Sequence, residues 1–358
     1  MEALENSAGQ ISAHQKSLRI GIVSETYTPE INGVARTLER FVTCLAHSGH
    51  QIDLIRPTQG HFDSRADLSV ARTTLVPGIH IPFYKDLRIG WPLNFRTATN
   101  WEQEPPDVLY IATEGPLGLA AMRLARRLNI PVVSGFHTNF PNYADHYRIG
   151  FLRPLILAYL KTFHNRANAT LVPTRGLKED LTKKGFRNLH VLGRGIDLTL
   201  FSPEQRSIPL RRNWGVENDS LAVLYVGRLA AEKNLQLALK AFTRMQEANP
   251  AARFILVGDG PLRKKIAAER PDLIVAGPQT GRRLAKHYAS ADVFLFPSLT
   301  ETFGNVTLEA LASGLAVGNY SAQKNHKKSL TGFLRIFPAF SAIQGLASNP
   351  CLRSIIIL

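Results

Sequence analysis

A chain of 358 residues, 44% of them hydrophobic, carries enough apolar material for two ordinary domains with cores of their own. No apolar run reaches the ~18–20 residues needed to span a bilayer, and two cysteines, Cys44 and Cys351, argue against a disulfide framework. The net charge of +15 points to anionic partners. With no long basic block and no interleaved aromatics, nucleic acid is not expected among them.

The N-terminus, "MEALENSAGQISAHQKS", is polar and carries two glutamates. It lacks the basic start and apolar core of a secretory signal, so a cytoplasmic location is expected. "LRIGIVS" then reads as a buried strand, and "NGVARTLERFVTCLAHSGH" as a helix with Val34, Leu38, Phe41, Val42 and Leu45 on one face. "QIDLIRP", "DVLYIAT" and "IPVVSGFHT" read as further strands, the last two separated by the helical "GPLGLAAMRLARRLN". The strand–helix rhythm continues through "RANATLVPT", "RGLKEDLTKKG" and "LHVLGRGID". After a polar interval it starts afresh with "LAVLYVGRL" and runs to "DVFLFPS" and "NVTLEALAS". Repeated βαβ units define a parallel α/β architecture in two similar halves, with a linker near Gly193 to Asp197.

In open parallel sheets ligands bind beyond the carboxyl ends of the strands. Four loops there carry chemistry. In "TYTPEINGVAR", Gly33 opens a helix whose free N–H groups favour an anion; the sequence is not the dinucleotide fingerprint. In "SGFHTNF", His137 follows a buried strand and is suited either to a ligand or to a structural hydrogen bond. In "VGRLAAEKNL", Arg228 and Lys233 offer two cations at the start of a helix, where a diphosphate would lie. In "PSLTETFGNVTLEALASGLAV", Glu301 precedes a helix capped by Asn305 or Thr302, and Glu309 falls about two turns into it. Gly304 permits close backbone approach. Carboxylates are good acceptors for sugar hydroxyls.

Together, the two glutamates eight positions apart after the "FLFPS" strand and the Arg–Lys pair earlier in the same half resemble the retaining nucleotide-sugar glycosyltransferases of family 4. The resemblance runs from about Leu18 to Val317. "SETYTPEINGVART", "FHTNFPNYADHYRIG", "GRGIDLTLFSP" and "VGDGPLR" look most like the bacterial α-mannosyltransferase branch. It implies a GT-B fold: two Rossmann-like domains facing across a cleft, residues 18–194 for the acceptor and 195–318 for the donor. Residues 1–17 would be disordered.

The resemblance also implies roles. Arg228 and Lys233 would hold the donor diphosphate, with Gly33 letting the N-terminal loop approach the phosphates. Glu301 would meet the donor sugar, with backbone N–H groups of Phe303, Gly304 and Asn305 nearby. Glu309 would bind the donor ribose, and His137 would lie beside the reacting sugar as a catalytic residue with Glu301. No Asp-x-Asp motif occurs, so neither an essential metal nor any other cofactor is expected. The expected partners are a nucleotide sugar, a lipid or glycan acceptor and the inner face of an anionic membrane. The sugar would be mannose from GDP-mannose, with a UDP-sugar as the alternative.

"PGIHIPFYKDLRIGWP" (77–92) reads as a surface loop. "RIGFLRPLILAYLKTFHNR" (148–166) reads either as a core-packing helix or as one resting on a membrane. After Val317 the pattern stops. "LAVGNY" begins a strand and fails, and from Asn319 the charges are Lys324, Lys327, Lys328, Arg335 and Arg353 with no acid. The expectation is that residues 319–358 are a non-family tail produced by frameshift or truncation, leaving the second domain incomplete. A further alternative is therefore an inactive remnant that binds nucleotide sugar or membrane without turnover.

Overall fold

The computed structural model describes residues 16–30, 32–60, 63, 69–81, 84–91, 99–137, 153–217, 220–298 and 303–319. The expectations for residues 1–15, Glu301, Thr302, 148–152 and the tail from 320 lie outside them. The chain forms two compact units, one taking in residues up to His137 together with Leu157–Leu192, the other beginning its main part at Gly193.

In the first unit, β1 (Arg19–Val23), β2 (Gln51–Pro57) and β3 (Arg72–Val76) are followed by a hairpin of β4 (Gly78–Ile81) and β5 (Tyr84–Gly90). Then come β6 (Val108–Ile111), β7 (Val132–Gly135), β8 (Ala169–Val172) and β9 (Leu189–Val191). The helices are α1 (Gly33–His47), α2 (Pro116–Arg127), α3 (Arg153–His164), which belongs to this unit from Leu157 on, and α4 (Arg175–Lys183). Seven strands form one parallel sheet in the order β3-β2-β1-β6-β7-β8-β9. The β1 run is apolar almost throughout because both faces are covered. Ile20 and Ile22 join Leu38 and Val42 of α1, while Val23 joins Leu117, Ala121 and Met122 of α2. Each fully buried aliphatic side chain contributes roughly 1.5–3 kcal/mol. The 77–92 stretch is not a loop: β4 and β5 pair antiparallel, Gly78 opposite Gly90 and Ile79 opposite Ile89.

The second unit contains α5 (Ile208–Asn213), β10 (Ala222–Val226), α6 (Leu235–Ala248), β11 (Arg253–Val257), α7 (Arg263–Glu269) and β12 (Ile274–Gly277). It continues with α8 (Gly281–Ser290), β13 (Val293–Phe296), α9 (Asn305–Ala312) and β14 (Ala316–Asn319). Its parallel sheet has the order β12-β11-β10-β13-β14. Every residue of β10 is buried, as its central place demands. The strand expected to fail after Leu315 in fact forms, Ala316 opposite Val293 through Asn319 opposite Phe296. Gly318 looks like a breaker in sequence, and a Cβ there would stand 2.9 Å from a methyl of Leu295. A side chain there would need only the Leu295 methyl to shift, since the nearest backbone atom is 3.7 Å away, so the strand pairs with or without the glycine. The Gly193–Asp197 stretch is also more than a linker: Ile196 is buried in the second core, and Asp197 Oδ1 accepts from the amides of Thr199 and Leu200 at 2.9 and 3.0 Å.

Candidate functional site

In the second sheet the chain runs outward from β10 through β11 to β12, then returns to lay β13 and β14 on the other side. The reversal puts a switch point between β10 and β13, and the crevice beyond their carboxyl ends is where an α/β sheet takes ligands. The loops that leave those ends carry Arg228 and Lys233 from β10, and Phe303 to Asn305 from β13.

The β10 loop is held by main-chain hydrogen bonds as well as by Leu229, which is wholly buried in the second core. Gly227 N–H donates to Val257 O at 3.0 Å, Leu229 N–H to Asp259 O at 2.9 Å, and Leu262 N–H to Leu229 O at 3.0 Å. Such close approach needs glycine opposite: a Cβ on Gly258, at φ 140°, would lie 2.0 Å from Gly227 O. Tyr225, wholly buried, donates its hydroxyl to Arg228 O at 3.1 Å. Lys233 was expected at the start of a helix. It closes a single 3-10 turn, Ala231–Lys233, just before α6, and its ammonium lies over the Phe296 ring at 5.9 Å. Asn234, left-handed at φ 54°, donates from Nδ2 to Pro297 O at 3.2 Å and so ties this loop to the end of β13.

The helix cap differs from the expected one. The N-cap of α9 is Gly304, in the left-handed region at φ 79°, with no side-chain hydrogen bond to the first turn. Asn305 is the first helical residue and its Oδ1 accepts from Arg194 Nη1 at 3.4 Å. The Arg194 guanidinium also lies over the Phe303 ring, 5.6 Å from its centre. Gly304 offers no side-chain cap, and the positive end of a helix dipole favours an anion. Glu309 lies one turn into the helix, not two, and is 4% exposed. Its Oε2 accepts from the Tyr288 hydroxyl at 2.9 Å. Neither Arg194 nor Tyr288 stands out in the sequence as a site residue, although Arg194 lies within the quoted "GRGID".

In the first unit Gly33 does open α1, and Asn32 caps it through Oδ1 to Ala35 N–H at 2.8 Å. A Cβ on Gly33 would meet no protein atom within 4 Å, so the fold itself does not require glycine there. Gly33→Ala is therefore expected to keep or slightly raise the melting temperature, since alanine gains up to about 1 kcal/mol in a helix. A tenfold or greater loss of transfer rate would mark the open space as ligand space; an unchanged rate would remove Gly33 from the site.

His137 is half-buried, with Nε2 and the Tyr110 hydroxyl 2.7 Å apart. Gly135 makes that contact possible, because a Cβ there would fall 2.5 Å from the same ring nitrogen. Behind it lies a fully buried chain: Glu114 Oε1 to His164 Nε2 at 3.0 Å, and His164 Nδ1 to Ser134 Oγ at 2.9 Å. Phe136, Phe163 and Phe186 pack around the His164 ring.

Two acids in the loop after β1 are buried, which sequence spacing does not reveal. Glu25 accepts from the N–H groups of Leu117, at 3.0 Å, and Gly90, joining the hairpin to the start of α2. Burial pushes its carboxyl up to about 7 against the lowering effect of those N–H groups. Glu30, gripped by Thr26, Asn32 and Gln59, is likewise raised by burial. Because the folded Glu25 holds its proton above the ordinary 4.5, its stabilisation is complete below about pH 4.5 and is lost as pH rises through about 7. Relative to Glu25→Gln, the wild type is expected to lose on the order of 2–3 kcal/mol between pH 5 and 8 in urea titrations. Parallel curves would contradict this.

Both units are parallel α/β sheets, and the loops beyond the second switch point carry Arg228, Lys233 and the start of α9. Residues 31–200 match the model for Glycosyltransferase Family 4, and residues 220–322 that for Glycosyl transferases group 1. A GDP-mannose-dependent alpha-mannosyltransferase of Mycobacterium tuberculosis is 33% identical over 84% of this chain and 78% of its own. A GDP-mannose-dependent alpha-(1-6)-phosphatidylinositol dimannoside mannosyltransferase from the same species is 31% identical over 83% of this chain and 78% of its own. Among solved structures, sucrose-phosphate synthase from Thermosynechococcus elongatus superposes with a TM-score of 0.67 at 18% identity, over 84% of this chain and 81% of that one. The fold is GT-B, with two Rossmann-like sheets. The chain belongs to glycosyltransferase family 4.

Proposed function

We propose that this glycosyltransferase moves mannose from GDP-mannose, with retention of configuration, to a lipid or glycan acceptor at the inner face of a membrane. The 33% identity to a GDP-mannose-dependent enzyme over 84% of the chain carries the donor assignment. The switch point between β10 and β13 supports the site in the second unit. Arg228 and Lys233 bind the diphosphate and stabilise its charge as the glycosidic bond breaks, more in the transition state than before it. The main-chain N–H groups at Phe303, Gly304 and Asn305 add the positive end of α9. Glu309, positioned by the Tyr288 hydroxyl, binds a ribose hydroxyl, and Glu301 takes the hydroxyls of the sugar. In the first unit Gly33 leaves room for phosphate, and His137, oriented by Tyr110, serves the reacting sugar. The leaving phosphate itself takes the acceptor proton, and no metal is assigned a part.

A lipid acceptor is favoured by α3, where Leu155 is 69% and Tyr159 40% exposed beside Arg153 and Lys161. Among the described residues no helix is long and apolar enough to cross a membrane, so contact would be at the surface. The test is incubation of the full chain with GDP-mannose or UDP-glucose and vesicles containing diacylglycerol and phosphatidylinositol, followed by mass spectrometry and NMR of the product. An α-mannosylated lipid supports the reading. A glucosylated lipid moves the donor to UDP-sugars, an inverted linkage removes retention, and nucleotide binding without any product identifies an inactive remnant.

A further inference from the structure

We propose that Glu114, His164 and Ser134 form a positioning chain that sets the place of His137 for the reaction; the inference rests on the role given to His137 above. Successive side chains of a strand point to opposite faces. At the end of β7, Ser134 and Phe136 therefore share one face, and Gly135 and His137 share the other. The contacts agree. On the first face Ser134 Oγ lies 2.9 Å from His164 Nδ1, and the Phe136 ring packs on the same imidazole with centres 5.2 Å apart. On the second, a Cβ on Gly135 would collide with both the Tyr110 hydroxyl and His137 Nε2. One imidazole of α3 thus holds the two residues that alternate with Gly135 and His137, and so fixes the strand end that carries His137. Its Nε2 is held in turn by Glu114 Oε1 at 3.0 Å, from the loop after β6. Ser134 Oγ also lies 2.9 Å from Thr170 Oγ1 of β8. Side chains therefore tie β7 to the end of β6, to β8 and to α3 just before His137.

Stability alone does not call for such a chain. Ser134, His164 and Thr170 are wholly buried and Glu114 nearly so, and Phe136, Phe163 and Phe186 pack around the imidazole. Apolar side chains of similar volume hold buried surfaces together as well as buried polar pairs do, or better. What apolar contact lacks is direction, because the hydrophobic effect is non-directional, whereas a hydrogen bond weakens steeply when bent. A buried polar chain that must stay satisfied admits one arrangement of β7 against α3. A reacting group needs that precision, since a misplacement of about 1 Å can cost on the order of 10²-fold in rate. The Tyr110 hydroxyl, 2.7 Å from His137 Nε2, orients the ring. The chain behind it places the main chain on which the ring stands.

The test reads the His137 ring and the rate separately. Full-length protein labelled with ¹⁵N-histidine gives ring-nitrogen signals by NMR, and the spectrum of His137→Ala identifies those of His137. Ser134→Ala is expected to move the His137 signals. It is also expected to lower kcat for nucleotide release, from whichever of GDP-mannose and UDP-glucose the wild type consumes, by about 10-fold or more with KM within about twofold. Ser134→Thr, which restores the hydroxyl, is expected to recover both. Leu124→Ala, a core substitution in the C-terminal half of α2, is the control: it is expected to lower the melting temperature while leaving the His137 signals and kcat near wild type. His137 signals unmoved in Ser134→Ala, or moved as far in Leu124→Ala, overturn the proposal. So does a kcat kept by Ser134→Ala and lost by His137→Ala. If Ser134→Ala does not fold, Thr170→Val, equal in shape but without the other hydroxyl on Ser134 Oγ, decides on the same comparison. A full kcat in His137→Ala removes His137 from the reaction, and a folded wild type that consumes neither donor overturns the donor reading; in either case this inference falls with it.

Discussion

Replacing Arg228 by methionine is expected to lower kcat/KM for the nucleotide sugar by roughly 10²- to 10³-fold while leaving the melting temperature within a few degrees. A positioned donor to charge that develops in the transition state is worth about 3–4 kcal/mol, and each 1.36 kcal/mol is tenfold in rate. Methionine keeps much of the stem that an arginine packs while removing the charge. The main chain here has holds of its own: Tyr225 donates to the Arg228 carbonyl oxygen, and the neighbouring backbone groups are hydrogen-bonded. If the interaction grows as the bond to the diphosphate breaks, kcat falls as much as kcat/KM; if it is equal before and during the reaction, only KM rises. Steady-state kinetics on a soluble donor separate the two, and an unaffected kcat/KM would take Arg228 out of the mechanism.

Gly258→Ala is expected to cost about 3 kcal/mol or more, lowering the melting temperature by roughly 6–12 °C. The added Cβ would fall 2.0 Å from Gly227 O, where backbone rather than a yielding side chain is in the way, and the φ of 140° is strained for alanine. Relief requires the β10 loop to move, and Arg228 moves with it, so donor affinity is expected to fall alongside stability. Gly176→Ala is the control, since a Cβ there meets nothing within 4 Å and its effect on the melting temperature is expected to be small. Equal behaviour of the two variants in calorimetry would show that the close approach at Gly258 does not hold the site.

Most strands were legible because parallel strands buried on both faces are written as unbroken apolar runs, as in "RIGIV" and "AVLYV". The place of Arg228 just beyond β10 was legible for the same reason, since it follows a run that ends abruptly in a loop. Features set by contacts between distant segments were not. The burial of Glu309 depends on Tyr288 in another helix, and the raised carboxyl of Glu25 depends on amides at Gly90 and Leu117. Gly318 reads as a breaker because its partner Leu295, with which it pairs from β14, lies on another strand. The hairpin of β4 and β5 was hidden by its prolines and charges. Arg194 was hidden by its glycines, which mark a linker in sequence and frame a cation in the fold.

The most direct measurement is release of nucleoside diphosphate from GDP-mannose and from UDP-glucose by the purified full chain, with Arg228→Met beside it. The expected result is GDP released from GDP-mannose faster than UDP from UDP-glucose, with either release collapsing in the variant. A folded wild type that liberates neither nucleotide, or a variant that liberates GDP as fast as wild type, would contradict a catalytic diphosphate site at the end of β10.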